Sequence, residues 1–432
     1  MRWGTAGRAA ALATAAALAL ASCSTGGGDR TTDSDKVTLT VLTHYGNDPL
    51  KSGLQKMVDE WNKNNPSIQV KTQAVTYDDL LQTITVRQTG GKAPDIIQAY
   101  SLWGGQLERA RVLAEPPEDI QQDIKTNYSK AAVGSVTVDG KILGYPTEVQ
   151  TYALFYNKKL LAEAGVTEPP KTWDEIAEVA AKVTKRDSKG NIQVAGFGLT
   201  SGWDSAVVHP FLSLLQAAGG QFVSDDGTKA AFNSPAGKAA LEFEKSLIDA
   251  KVADPAINVL QAFPSEKVAM TINAGWWIGS LKTAMKDKYE NVGVVPVPGP
   301  KPGDKGSLAY GFFMGVNNKS PHKDEAWQFL KWMNAEKGPD GATRMGSFQY
   351  SIGTIPGRPA DSEALADEIT DPNYQPFTEA LEYAMPEPNG RNGQKIKTTL
   401  QKSIEGVWTG TQSVDEALAN AAEQADALLS SG

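Results

Sequence analysis

Val37-Thr38-Leu39-Thr40-Val41-Leu42-Thr43 opens the folded part of the chain. It is rich in β-branched and apolar residues, the composition of a buried strand. After it, Leu54, Met57, Val58 and Trp61 recur at i, i+3, i+4 and i+7, so the apolar face of a helix follows, and Asn64-Asn65-Pro66 ends it. Ile68 to Val75 reads as a second strand, Asp78 to Arg87 as a second helix closed by Gly90-Gly91, and Asp95 to Tyr100 as a third strand. Strand, helix, strand, helix, strand is the order of a doubly wound α/β sheet.

The same grammar returns downstream. Thr172-Trp173-Asp174-Glu175 is a capping box behind Pro169-Pro170, and Ile176, Val179, Ala180 and Val183 form one face of the helix it starts. Ser234-Pro235 and Ser320-Pro321 each read as an N-cap followed by proline at the first helical position, where a missing N–H is harmless. Ala326, Phe329, Leu330 and Met333 make the stripe after the second of these. Ser413-Val414-Asp415-Glu416 opens a last helix with Leu418, Ala421, Ala422 and Ala425 on one side. The alternation runs too long for one small domain.

Upstream of Val37 the chain has a different character. Basic residues up to Arg8 precede an apolar run from Ala9 to Ala21 that ends in small residues, the layout of a secretory leader over residues 1–22. Leu20-Ala21-Ser22-Cys23 resembles the lipobox of bacterial lipoproteins, which implies a lipidated Cys23 as the mature N-terminus, held by acyl chains to the cell membrane; an ordinary secreted protein is the competing reading. Residues 23–35 are small and polar, a flexible tether of about 20 Å. Cys23 is the single cysteine, so acylation leaves no thiol for a disulfide, a metal or nucleophilic chemistry. With 41% hydrophobic and 21% charged residues the body is that of a soluble globular protein. Loss of Arg2 and Arg8 with the leader takes the formal charge from −8 to −10, which argues against nucleic acid as a partner.

Gly144 to Leu160 (GYPTEVQTYALFYNKKL) resembles the inter-lobe crossover of the family 1 extracellular solute-binding proteins of sugar ABC importers. Pro170 to Glu175, Ala269 to Asn273 with Trp276-Trp277, Asn317 to Pro321, and Thr411 to Leu418 follow in that family's order. The resemblance implies a type II periplasmic-binding-protein-like fold of two α/β lobes, with doubly wound sheets joined by a hinge and ligand in the cleft between them. It implies an N-terminal lobe of residues 36–148 and 307–351 and a C-terminal lobe of 149–306 and 352–432. Its implied partners are a sugar, the transmembrane subunits of an ABC permease and, through the lipid anchor, the membrane; the protein is expected to be an extracytoplasmic monomer without cofactor, metal or catalysis.

A sugar cleft needs flat apolar surfaces for ring C–H faces and polar side chains for hydroxyls. Of ten tryptophans, Trp3 leaves with the leader, Trp61, Trp173, Trp327 and Trp332 belong to amphipathic helices, and Trp408 sits at a helix end. That leaves Trp103, Trp203, Trp276 and Trp277 as ligand platforms, with core packing as the alternative for Trp103 and Trp276 and a surface patch for Trp203. Trp103 follows Tyr100 at the end of a strand, where ligands of open α/β sheets are met. Tyr45 and Asp48 follow the first strand; Glu148 and Gln150 lie in the crossover; Arg358 offers a guanidinium. By family position Asn273, Tyr310 and Gly311 join the ligand-binding set. Ser101 and Leu102 stand where relatives that bind maltodextrin-like chains often carry charged residues, so the sugar and its length stay open.

A secreted polysaccharide-active enzyme is the rival class, since glycosidase clefts also pair aromatics with carboxylates. The chain lacks Gly-x-Ser-x-Gly, His-Glu-x-x-His and phosphate loops, and of His44, His209 and His322 only His209, beside Pro210, stays open as a cleft residue. A polyol phosphate, a polyamine or iron remain as other cargoes for the same fold.

Overall fold

A computed structural model describes residues 36–366 and 370–430; the leader, Cys23 and the tether lie outside them. Its principal strands are β1 (Val37–Thr43), β2 (Ile68–Ala74), β3 (Ile96–Tyr100), β4 (Tyr145–Asn157), β5 (Ile192–Gly198), β6 (Val268–Ala274), β7 (Val292–Val295) and β8 (Leu308–Val316). They join in the order β2-β1-β3-β8-β4-β6-β5, with β7 also on β4. β1 is parallel to β2 and β3, and β5 is parallel to β6, whereas β8 is antiparallel to both β3 and β4, and β4 to β6.

The resemblance implies a sheet in each lobe, and hydrogen bonding links the two into one continuous path. The reason is the length of β4. Its first half pairs with β8, from Tyr145↔Met314 to Thr151↔Ala309, and its second half pairs with β6, from Tyr152↔Ala274 to Tyr156↔Met270. Ile355–Pro356 adds a third crossing by pairing with Val149 and Glu148. One strand thus hands the chain from one lobe to the other.

The cores divide the same way. One gathers Leu39, Leu54, Trp61, Ile96, Phe313 and Phe329 around β1–β3. On the far side of the crossing, strand alternation splits β4: Tyr152 and Leu154 face a core with Phe211, Leu241 and Leu400, while Ala153 and Phe155 face another with Phe263, Trp277 and Phe377.

The helix expectations are met where the side chains are local. Leu54, Met57, Val58 and Trp61 are the buried residues of Leu50–Asn64. The Glu175 N–H donates to Thr172 Oγ1 at 3.2 Å and the Gly237 N–H to Ser234 Oγ at 3.2 Å. The Ser413 and Glu416 side chains each accept the other's backbone N–H, so that capping box is complete. Ser320 is the exception. Its hydroxyl donates to Asp95 Oδ1 at 2.6 Å and accepts from the His322 N–H, so it does not cap, and the helix begins at Lys323. Ala326, Phe329, Leu330 and Met333 are nevertheless its buried stripe.

Candidate ligand-binding site

The C-terminal end of β3 delivers Tyr100 and the short turn after it delivers Trp103; both are buried at the boundary between the cores. Their rings meet edge to face at 5.5 Å, Trp103 stacks on Tyr77 at 5.6 Å, and Tyr310 of β8 stands edge-on to Tyr100 at 5.7 Å. The half-buried Tyr310 ring also lies 5.1 Å from the ring of His209, which belongs to the helix Asp204–Ala217. Aromatic faces therefore meet here from both sides of the crossing.

Polar groups converge on the same place. The Tyr100 hydroxyl donates to Glu387 Oε2 and lies 3.1 Å from Lys397 Nζ. Lys397 Nζ is 3.1 Å from Glu387 Oε1 and 3.7 Å from Asp204 Oδ1, and it donates to Ser205 Oγ at 2.8 Å. His209 Nε2 is 2.8 Å from Glu387 Oε1 and its Nδ1 2.7 Å from the Tyr152 hydroxyl. This geometry suits a neutral imidazole that donates from Nε2 to the carboxylate and accepts the phenol proton at Nδ1. Burial and then the Lys397 charge push His209 below its ordinary range, in keeping with that state. Burial opposes ionisation of Glu387, yet the Lys397 charge and the hydrogen bonds from His209 and Tyr100 hold its carboxyl at about 2.

Glu148 is the opposite case. It is 6% exposed, its partner is the Gln150 amide at 3.3 Å, and burial pushes its carboxyl up to about 7. Gln150 Oε1 accepts the backbone N–H of Trp276 at 3.0 Å, tying the crossover to the start of the helix Trp277–Met285. Gly311 is required by approach: a Cβ there would lie 2.7 Å from the Glu148 carbonyl oxygen, where β8 passes β4.

The segment Glu387–Gly393 closes over this region. The Asn389 side-chain amide donates to the carbonyls of Ser135 at 2.9 Å and Thr137 at 3.1 Å, and the Asn389 backbone carbonyl accepts the Gly105 N–H at 2.8 Å. The Trp103 indole N–H donates to Gln394 Oε1 at 3.0 Å, and Gln394 in turn donates to Asp204 Oδ2 at 2.7 Å. A cavity of about 270 Å³ is lined by Asp139, Pro388, Arg391, Asn392 and Ile396.

Tyr100, Trp103, Glu148, Gln150, Trp276, Tyr310 and Gly311 are thus brought together, with Trp276 and Tyr310 only half-buried. Tyr45, Asp48, Asn273, Trp277 and Arg358 have other partners. Tyr45 is buried beside Phe348, with Gln349 Nε2 3.4 Å from its hydroxyl. Asp48 is exposed and accepts the Ser52 N–H at 3.0 Å. Trp203 is half-buried just before Asp204–Ala217, and Asn273 Oδ1 accepts the Ala274 N–H at 2.8 Å. Trp277 packs on Phe155 and Phe263, each at 5.1 Å, inside a core. Arg358 is spent on Asp123 Oδ1 at 2.7 Å and the Asn334 carbonyl at 3.2 Å, stacked over Tyr128.

Sequence reasoning leaves out Asp204, Glu387 and Lys397. One signal was available. Gly393, Ile396, Leu400, Ile404 and Val407 form the buried stripe of Gly393–Trp408, and Lys397 falls within it, a charge at a core position that demands a partner.

A family model described as bacterial extracellular solute-binding protein matches residues 47–338. A Brucella abortus protein named as a binding protein is 25% identical over 409 residues, spanning 92% of this chain and 94% of that one. The maltotriose-binding protein of Pyrococcus abyssi is 27% identical over 378 residues, 84% of this chain and 74% of its own. Among solved structures, the GacH receptor of Streptomyces glaucescens, known unliganded and in complex with acarbose, superposes with a TM-score of 0.79 at 26% identity, covering 91% of this chain and 99% of that one.

Proposed function

The chain belongs to the bacterial extracellular solute-binding protein family, and from that premise we propose that it captures a sugar or oligosaccharide between its lobes and passes it to the transmembrane subunits of an ABC importer. Relatives and structural neighbours that bind maltotriose and acarbose support a carbohydrate as cargo. The observation that carries the reading is the meeting of aromatic rings and buried hydrogen-bonding groups where the cores adjoin, around Tyr100, Trp103, Trp276 and Tyr310.

In this reading the lobes are residues 36–148 with 307–351 and 149–306 with 352–432, and the three crossings at Glu148–Tyr152, Ser307–Gly311 and Ile355–Pro356 form the hinge. Trp276 and Tyr310 carry ring faces, Tyr100 and Trp103 wall the cleft, and Glu148 and Gln150 accept hydroxyls. Trp203, Asn273 and Tyr45 line its flanks. Gly311 keeps the crossing strands close, and Trp277, Asp48 and Arg358 support the frame through the core packing, helix-start bond and ion pair described above. Closure needs about 5.5 kcal/mol of differential affinity to move the lobes from 1:99 to 99:1, within reach of a few buried hydrogen bonds and stacked rings.

The protein works outside the cytoplasm as a monomer, tethered through lipidated Cys23, and releases its sugar unaltered. Among the described residues, no helix is long and apolar enough to cross a membrane. The test is thermal stabilisation and tryptophan fluorescence across mono-, di- and oligosaccharides, with chromatography of the recovered sugar. A saturable stabilisation with intact sugar is expected. Turnover of the sugar, or a panel without one stabilising member, overturns the reading.

A further inference from the structure

The boundary between the cores carries more charge than sugar capture alone requires. Lys397 is 1% exposed at its side chain, Glu387 3% and Asp204 18%, and the one ammonium lies within 4 Å of both carboxylates. Arg358, the other buried cation near the crossing, is taken by Asp123. Glu148 adds a further carboxyl group, hydrogen-bonded to an amide rather than to a cation. Glu148 pairs with Phe312, two residues from Tyr310 on β8, and the Tyr310 ring stands 5.7 Å from that of Tyr100, whose hydroxyl donates to Glu387. The Asp204 and Glu387 carboxylates thus outnumber the ammonium in a place of low dielectric, where like charges repel strongly.

The hydrogen bonds across the boundary show which chemistry this set accepts. Tyr100 reaches over from the first core, and its hydroxyl sits between the Glu387 carboxylate and the Lys397 ammonium. A ring hydroxyl of a sugar makes the same pair of contacts, as donor to one and acceptor from the other. A carboxylate or phosphate in that position would satisfy Lys397 but would face Glu387 and Asp204 unpaired.

We infer that Asp204, Glu387 and Lys397 form a charge filter at the inter-lobe cleft, which takes sugars with uncharged or amine-bearing substituents and turns away uronates and sugar phosphates. The inference rests on the proposed capture of a carbohydrate. Titration calorimetry of the wild type, Glu387→Gln and Asp204→Asn with trimers of glucose, glucosamine and galacturonate tests it, with circular dichroism to verify folding. The wild type is expected to bind a neutral or amine-bearing trimer at least about 100-fold more tightly than the galacturonate trimer, since like-charge juxtaposition costs several kcal/mol. Each variant narrows that ratio about tenfold or more. Asp204→Asn, at the more exposed position, gives the answer if Glu387→Gln does not fold. Galacturonate binding as tight as the best other trimer, or a ratio that neither variant changes, overturns the filter and leaves sugar capture standing; failure of every sugar in the wider panel removes both.

Discussion

Replacing Lys397 by Met probes the buried charge set most directly. Glu387 holds its carboxyl at about 2 against an ordinary 4.5. At about 1.4 kcal/mol per decade, that difference corresponds to roughly 3 kcal/mol of stability at neutral pH. The sign follows from proton binding. A depressed carboxyl stabilises the fold fully above 4.5 and loses that contribution as pH falls toward 2, because the unfolded chain then binds the extra proton. Lys397→Met removes the nearest cation and leaves a buried carboxylate, so a loss of about 3–5 kcal/mol is expected at pH 7. The variant's Glu387 takes up a proton earlier on acidification, and the gap to wild type narrows accordingly. Lys397→Met combined with Glu387→Leu removes both charges and recovers most of the loss, since an apolar pair needs no desolvation. Urea denaturation of the wild type, both single variants (Lys397→Met and Glu387→Leu) and the double variant between pH 3 and pH 7 measures this. A Lys397→Met loss below about 1 kcal/mol, or one that does not change with pH, refutes the reasoning.

Glu148 should behave in the opposite sense. Its carboxyl is raised to about 7 by burial, so the folded state keeps a proton that the unfolded chain releases, and stability falls as pH rises from 4.5 to 7. Glu148→Gln abolishes that slope, worth about 3 kcal/mol, and a variant with an unchanged pH profile contradicts the assignment. Trp276→Ala weakens sugar binding about tenfold by calorimetry, and an unaltered affinity rules out its ring as a platform. Gly311→Ala drives a methyl to 2.7 Å from the Glu148 carbonyl oxygen and costs about 1–3 kcal/mol in thermal or urea unfolding; a neutral outcome shows that the crossing strands separate freely. Cys23→Ala moves the protein from the membrane fraction to the soluble one, and retention in the membrane dismisses the lipid anchor.

The legible part of the site was the part carried by a single segment. Trp103 stands out in the sequence because it follows a strand end, and Glu148 and Gln150 because they stand in the crossover. Trp276 and Trp277 are neighbours whose surroundings the sequence does not distinguish. Only packing separates them: Trp277 turns onto Phe155 and Phe263, and Trp276 stays half-buried at the helix start. Ser320 shows the same limit for a cap, since its hydroxyl is drawn to Asp95, which lies 225 residues earlier.

Periodicity, capping and breaker residues are properties of a few neighbouring positions, so the sequence by itself determined the α/β alternation, the helix faces and most helix starts. The grouping of Tyr100, Asp204, His209, Glu387 and Lys397 was decided only by the tertiary structure. Their ionisation depends on burial and on the distance between charges, and both quantities come into existence only when β4 and β8 draw the two lobes together.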